Sequence, residues 1–273
     1  MELRDEVRQR LYRAADWVKV LEDLEREANA LKDDSVKSAR FLELGRLCEE
    51  FVPERDRALA AYQRAWKLYP NNLEALACAR DVYEQLGRME MVARLGEMEL
   101  KAVTDGQQRA LLAGHIGEAL LDIGKPEKAA EFLASALQQH SDPQKVQDAL
   151  AAAQYDKAAW SAEVARLVAQ SDTVDSGTAA RMCLRAARIL RIENPGDASF
   201  ESILRRVLSF DPQNDSANAM LESLLAEGAR WDELLAHQES RAYAAPDEAE
   251  QAVLYRRFAF EWTQRFKNRD HAA

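Results

Sequence analysis

Ala15-Asp16-Trp17, Gly87-Arg88-Met89, Ala158-Ala159-Trp160 and Ala229-Arg230-Trp231 are four short linkers, each closed by a bulky apolar residue, at intervals of 72, 71 and 71 residues. The flanks keep the same phase. Tyr69-Pro70-Asn71-Asn72 recurs as Asp211-Pro212-Gln213-Asn214, and Arg55-Asp56-Arg57-Ala58 recurs as Arg269-Asp270-His271-Ala272. Self-similarity at a fixed period marks a repeat architecture.

The segments between the linkers read as helices. Pro53, Pro70, Pro126, Pro143, Pro195, Pro212 and Pro246 all fall between periodic stretches, as expected when proline inside a helix costs about 3 kcal/mol. The stretches Ala39 to Phe51, Asp56 to Tyr69 and Gln107 to Ile123 are rich in strong helix formers, with apolar residues at i, i+3, i+4 and i+7. Capping residues stand in Pro70-Asn71-Asn72, Ser141-Asp142-Pro143, Asp211-Pro212-Gln213-Asn214 and Pro246-Asp247, the last with Glu250 placed for a capping box. About fifteen helices, most of roughly 12 to 18 residues, and no strand are predicted. Four helices per period means two hairpins per unit, hence an all-α solenoid. Its double-hairpin units lie near 17–88, 89–159, 160–230 and 231–273, the last truncated.

Composition agrees. In 273 residues, 47% hydrophobic and 31% charged content suits a folded chain that buries a core, and 10 Gly with 7 Pro exclude collagen-like and low-complexity classes. No run of about 18 apolar residues occurs, so no membrane insertion is expected, and MELRDEVRQR lacks the apolar stretch of a signal peptide. Cys48, Cys78 and Cys183, an odd number without a CxxC pair, fit a reducing compartment and a cytoplasmic location. The net charge of −10 argues against broad affinity for nucleic acid or anionic lipid. The ratio of 27 Arg to 10 Lys, with abundant Ala, points to a GC-rich bacterial genome.

The hairpins resemble tetratricopeptide (TPR) repeats. Phe41 to Pro70 carries the resemblance best, with Phe41, Leu44-Gly45, Ala58, Tyr62, Ala65 and Pro70 at signature positions and one residue inserted in the turn. Asn71 to Thr104 keeps Leu76, Tyr83 and Gly87, and Leu111 to Ser141 keeps Gly117, Gly124, Ala129, Leu133 and Ala136. Farther on, only size and polarity persist, at Met182, Ala186, Leu204, Val207 and Pro212. The alternate hairpins look like the degenerate TPR arrays of large bacterial scaffold proteins. The resemblance implies a right-handed superhelix, with Gly45, Gly117, Ala186 and Ala259 at close contacts inside hairpins. It also implies that Ala58, Ala65, Ala129 and Ala136 seat the next helix and that Tyr62 and Leu133 fill space between units. Met1 to Ala14 aligns with Leu73 to Leu86, and a helix paired with Asp247 to Arg265 would begin at Asp270, so the chain reads as a piece of a longer array.

No nucleotide-binding, metalloprotease or nucleophile-elbow string occurs. His115, His140, His237 and His271 are scattered and pair with no Cys at metal spacing, so no catalytic residue, metal site or cofactor is predicted. Arg181 and Arg185 flank Cys183 and would depress its pKa, whereas a core position would leave it inert.

Two charge patterns are the candidate site. TPR-like stacking would line a concave face with first helices, presenting Arg46, Glu49, Glu50, Asp81, Glu84, Glu118 and Asp122, six acids to one base. Arg181, Arg185, Arg188 and Arg191 form a row at i, i+4, i+7 and i+10, with Arg205 and Arg206 on the next helix. Both patterns are also what a solvated face with local ion pairs looks like. The Lys/Asn carboxylate clamp of some TPR domains is missing, since Leu42 and Arg46 hold those places. The expected function is a non-catalytic protein-interaction scaffold whose partner is a protein or peptide with a basic amphipathic segment, or more of its own array. The rival is a structural spacer in a very large multi-repeat assembly, for example a bacterial motility or secretion complex.

Overall fold

The computed structural model describes residues 16–51 and 55–268, which form fourteen α-helices and no strand. In order they are α1 Trp17–Ala30, α2 Asp34–Phe51, α3 Arg55–Leu68, α4 Leu73–Gln85, α5 Met89–Leu100, α6 Gly106–Asp122 and α7 Pro126–Ala136. There follow α8 Pro143–Ala153, α9 Trp160–Gln170, α10 Ser176–Glu193, α11 Ser199–Phe210, α12 Asp215–Glu227, α13 Trp231–Tyr243 and α14 Glu248–Phe260. A single π-helical turn, Glu261–Arg265, continues α14. The helices expected over Met1 to Ala14 and from Asp270 lie outside the described residues.

Helix starts follow from local chemistry. Asp16, Asp105, Asp142, Asp175, Asn214 and Asp247 each accept a hydrogen bond from the backbone N–H three residues on, satisfying a donor that the helix itself leaves open. Several ends are closed by a left-handed residue. Gly87 and Gly124 have φ of 68° and 70°, and Arg88 N–H donates to Tyr83 C=O as Lys125 N–H does to Leu120 C=O. Two periods after Gly87 the same turn is made by Ala229, φ 51°, with Arg230 N–H donating to Leu225 C=O. An alanine here adopts the left-handed turn that glycine favours.

The chain divides into two compact units, residues 1–82 and 83–273. In the first, α1 packs on α2 and α2 on α3. The hairpin α2/α3 closes around Phe41, Leu44, Ala58, Tyr62 and Ala65, all buried. A Cβ at Gly45 would lie 2.3 Å from Tyr62 Cε1, so the missing side chain is the seat of the ring. Buried Ser38 ties three segments together: its hydroxyl donates to Ala65 C=O at 2.7 Å and accepts from Asn72 Nδ2 at 2.8 Å.

In the second unit, successive helices from α5 to α8 and from α9 to α14 pack pairwise, with α10 also against α8. One apolar cluster runs from Val92 through Ile116, Leu120, Ala129 and Leu133 to Ala149, and another from Leu167 through Cys183, Leu204 and Leu221 to Trp262. A Cβ at Gly117 would lie 2.5 Å from Leu133 Cγ, repeating the Gly45–Tyr62 contact. Tyr62 and Leu133 therefore fill space inside their own hairpins, a correction to the expectation that they pack between units. Ala259 is a second correction: it is exposed, while Phe258 and Trp262 face the core. Trp262 lies four residues beyond Phe258, on the same helix face, at the start of the π-helical turn.

Trp17, Met89, Trp160 and Trp231 each occupy the first position of their helix and each is half-buried. Trp17 stacks on Phe51 with centroids 3.8 Å apart, Trp231 tilts against Trp262 and Phe266 at 5.8 and 6.2 Å, and Met89 and Trp160 pack on the two clusters. The phase read from the linkers is thus a phase of packing sites.

Candidate interaction surface

In the first unit, Arg46 on α2 forms an ion pair with Glu74 on α4. Glu49 accepts from the Tyr62 hydroxyl while its backbone carbonyl accepts from Arg55. Burial, reinforced by Glu49, raises the Tyr62 pKa, so the phenol stays a donor. Glu49 is therefore a packing residue as much as a surface acid. Glu50 is exposed, and Asp81, 61% exposed, lies 3.6 Å from Arg80.

In the second unit the acids and the arginine row meet. Glu118 on α6 lies 3.0 Å from Lys145 on α8 and 3.4 Å from Arg188 on α10, although Glu118 and Arg188 are 70 residues apart in sequence. The helix α10 packs against both α6 and α8, which brings Arg188 within reach of Glu118. Arg188, only 4% exposed, also donates toward Ser216 Oγ on α12 at 3.4 Å. Burial pushes the Glu118 carboxyl up, but Arg188 and Lys145 outweigh it and hold the pKa below its ordinary value. Asp122, farther along α6, goes the other way, because burial raises it more than Arg188 and Arg191 lower it.

Three further arginines also bridge elements. Arg181 pairs with Asp148 on α8 at 3.1 Å, Arg185 with Glu163 on α9 at 2.9 Å, and Arg206 with Asp172. Glu84 meets His115 at 3.1 Å. The expectation of six acids facing a single base is thereby corrected for this unit, where Lys145 and Arg188 neutralise Glu118. Spacing along one helix could not reveal this, because the partners sit on helices one and two hairpins away.

Sequence reading missed a buried polar knot at the end of the second unit. Glu222 on α12 and Glu261 are fully buried, and Gln238 on α13 donates to Glu261 at 3.0 Å while accepting from Trp262 Nε1 at 2.8 Å. Arg241 reaches Asp215 at 2.6 Å and Glu222 at 3.5 Å, and Arg257 reaches Glu261 at 3.1 Å. Its sequence signal was Glu222 at a core phase between Leu221 and Leu225. Cys183 is fully buried, which leaves the inert reading of that thiol. Among the described residues no helix is long and apolar enough to cross a membrane.

No protein-family model and no curated protein matches the chain. Among solved structures, it is similar to YrrB, described as a TPR protein with an unusual peptide-binding site, with a TM-score of 0.41 at 17% identity. The match covers 75% of this chain and 96% of that one. At that level the likeness says nothing about which face of this chain binds.

Proposed function

We propose that the chain is a non-catalytic protein-interaction scaffold that presents charged side chains on its first helices to a partner protein or peptide. The supporting observation is that Arg46 on α2, Asp81 on α4 and Arg181 on α10 keep 53%, 61% and 44% of their side chains exposed. Charged side chains complementary to a partner give specificity and faster encounter. The partner's basic, amphipathic segment would meet Glu50 and Asp81, because Glu118 is already neutralised.

A second reading, a spacer within a larger multi-repeat assembly, draws on the ion pairs that bridge hairpins through Arg181, Arg185 and Arg188. The deciding experiment captures partners with the whole chain and measures their affinity for Glu50→Lys/Asp81→Lys across a salt series. A binding scaffold loses affinity on charge reversal, most strongly at low salt. Unchanged affinity at low salt leaves the spacer.

A further inference from the structure

The helix α14 buries one side and leaves the other bare. Phe258 and Trp262 turn into the core, while Glu248, Ala252, Val253, Tyr255, Arg256 and Ala259 are exposed. Earlier hairpins cover this side of their first helix, Tyr62 lying over Gly45 and Leu133 over Gly117. Ala259 holds the same register and is open to solvent. Large apolar side chains collect around it. Of the nine that are exposed among the described residues, Val253 and Tyr255 on α14 and Tyr243 at the end of α13 are 59%, 41% and 74% exposed. Tyr243 and Tyr255 are hydrogen-bonded to each other, which holds the two rings together. Exposed apolar side chains scattered singly need no explanation, whereas a group of them marks an interaction site.

Charge decides what this face receives. Glu248 stands four residues before Ala252 and Arg256 four residues after it, so both lie on the side of the helix that Ala252 centres, about 6 Å below and above it. Among the described residues neither takes part in an ion pair, although most neighbouring arginines do. A partner of one charge sign would answer one of the two and be repelled by the other. A second copy turned end for end about a two-fold axis at Ala252 answers both, because Glu248 of each copy then comes level with Arg256 of the other. A two-fold interface joins a patch to itself, so the patch must be its own complement, and this one is. Ala252 at the centre lets the two backbones approach, in the same antiparallel order that the helices of each hairpin use.

We propose that the exposed face of α14 is a dimer interface, in which two copies of the chain pair antiparallel about Ala252. Glu248 and Arg256 form two reciprocal ion pairs across it, and Val253 and the two tyrosines close its flanks. The helix has 13 residues and is about 19 Å long, so the interface is small and the association reversible, with a Kd of about 10–100 μM.

The test is sedimentation equilibrium of the whole chain from about 1 to 500 μM, where a monomer–dimer equilibrium is expected. Glu248→Arg and Arg256→Glu each put like charges at both contacts and should each weaken the dimer about ten-fold or more. An equimolar mixture of the two variants should regain at least the parent affinity, because one copy then carries two cations and the other two carboxylates. Val253→Asp should weaken the dimer as well. All three positions are exposed, so circular dichroism should show each variant folded like the parent. A chain that stays monomeric throughout that range, as when the face takes a further helix of the array instead, would overturn the proposal. So would a dimer indifferent to both charge reversals, or reversed variants that fail to recover on mixing. The scaffold reading stands or falls separately, since none of these variants touches Glu50, Asp81 or Arg181.

Discussion

Substituting Gly45 by alanine adds one methyl, and its consequence is set by Tyr62. An ideal Cβ at position 45 lies 2.3, 2.6 and 2.8 Å from three atoms of the ring, far inside van der Waals contact. The ring has nowhere to go: Tyr62 is fully buried and its hydroxyl is fixed on Glu49. Overpacking of this kind costs about 1–3 kcal/mol, against a gain of about 1 kcal/mol from helix propensity. Net destabilisation of up to about 2 kcal/mol is expected. The same change at Gly177 in α10, where the nearest atom would be 3.4 Å away, should be neutral or stabilising. Urea unfolding followed by circular dichroism measures both, and a double-mutant cycle with Tyr62→Ala isolates the contact. Tyr62→Ala alone should cost about 3–5 kcal/mol, and adding Gly45→Ala should then cost little, because the methyl occupies space that the ring has vacated. A coupling energy within about 0.3 kcal/mol of zero, or Gly45→Ala more stable than the parent, would refute the packing account.

Ala229→Gly should stabilise by about 1 kcal/mol in the same assay, because it relieves a left-handed alanine. Arg188→Met should destabilise by about 1–3 kcal/mol, because it removes a buried cation that Glu118 and Ser216 both face; an effect below half a kcal/mol would remove Arg188 as a bridge between hairpins. His237 gives a pH signature. Its folded pKa is lowered to about 4 from an ordinary 6.5, so between those values the unfolded chain binds more protons and stability falls as pH drops. His237→Gln should flatten that slope between about pH 6.5 and 4, as read from denaturant midpoints at a series of pH values. Ala129→Trp, at a fully buried contact of α7, should lower the melting temperature clearly.

The linker phase of Trp17, Met89, Trp160 and Trp231, the helix-breaking prolines and the Asp and Asn caps are local facts. They determined the all-α repeat, because period, propensity and capping act over a few residues and are written directly in the chain. The TPR resemblance marked Gly45 and Gly117 as close contacts inside hairpins but placed their partners Tyr62 and Leu133 between units, because which side of a helix a ring fills is set by packing and not by period. Ala259 misled because the buried face of this helix runs through Phe258 and Trp262, one residue off the position that the repeat register assigns, and packing rather than period decides that face. The charged residues were legible as types but not as partners. Whether Glu118 projects a field or is neutralised depends on Lys145 of α8 and on Arg188 reaching it from α10, two hairpins away. Electrostatic geometry is a long-range product of stacking, and so only the tertiary structure decided it.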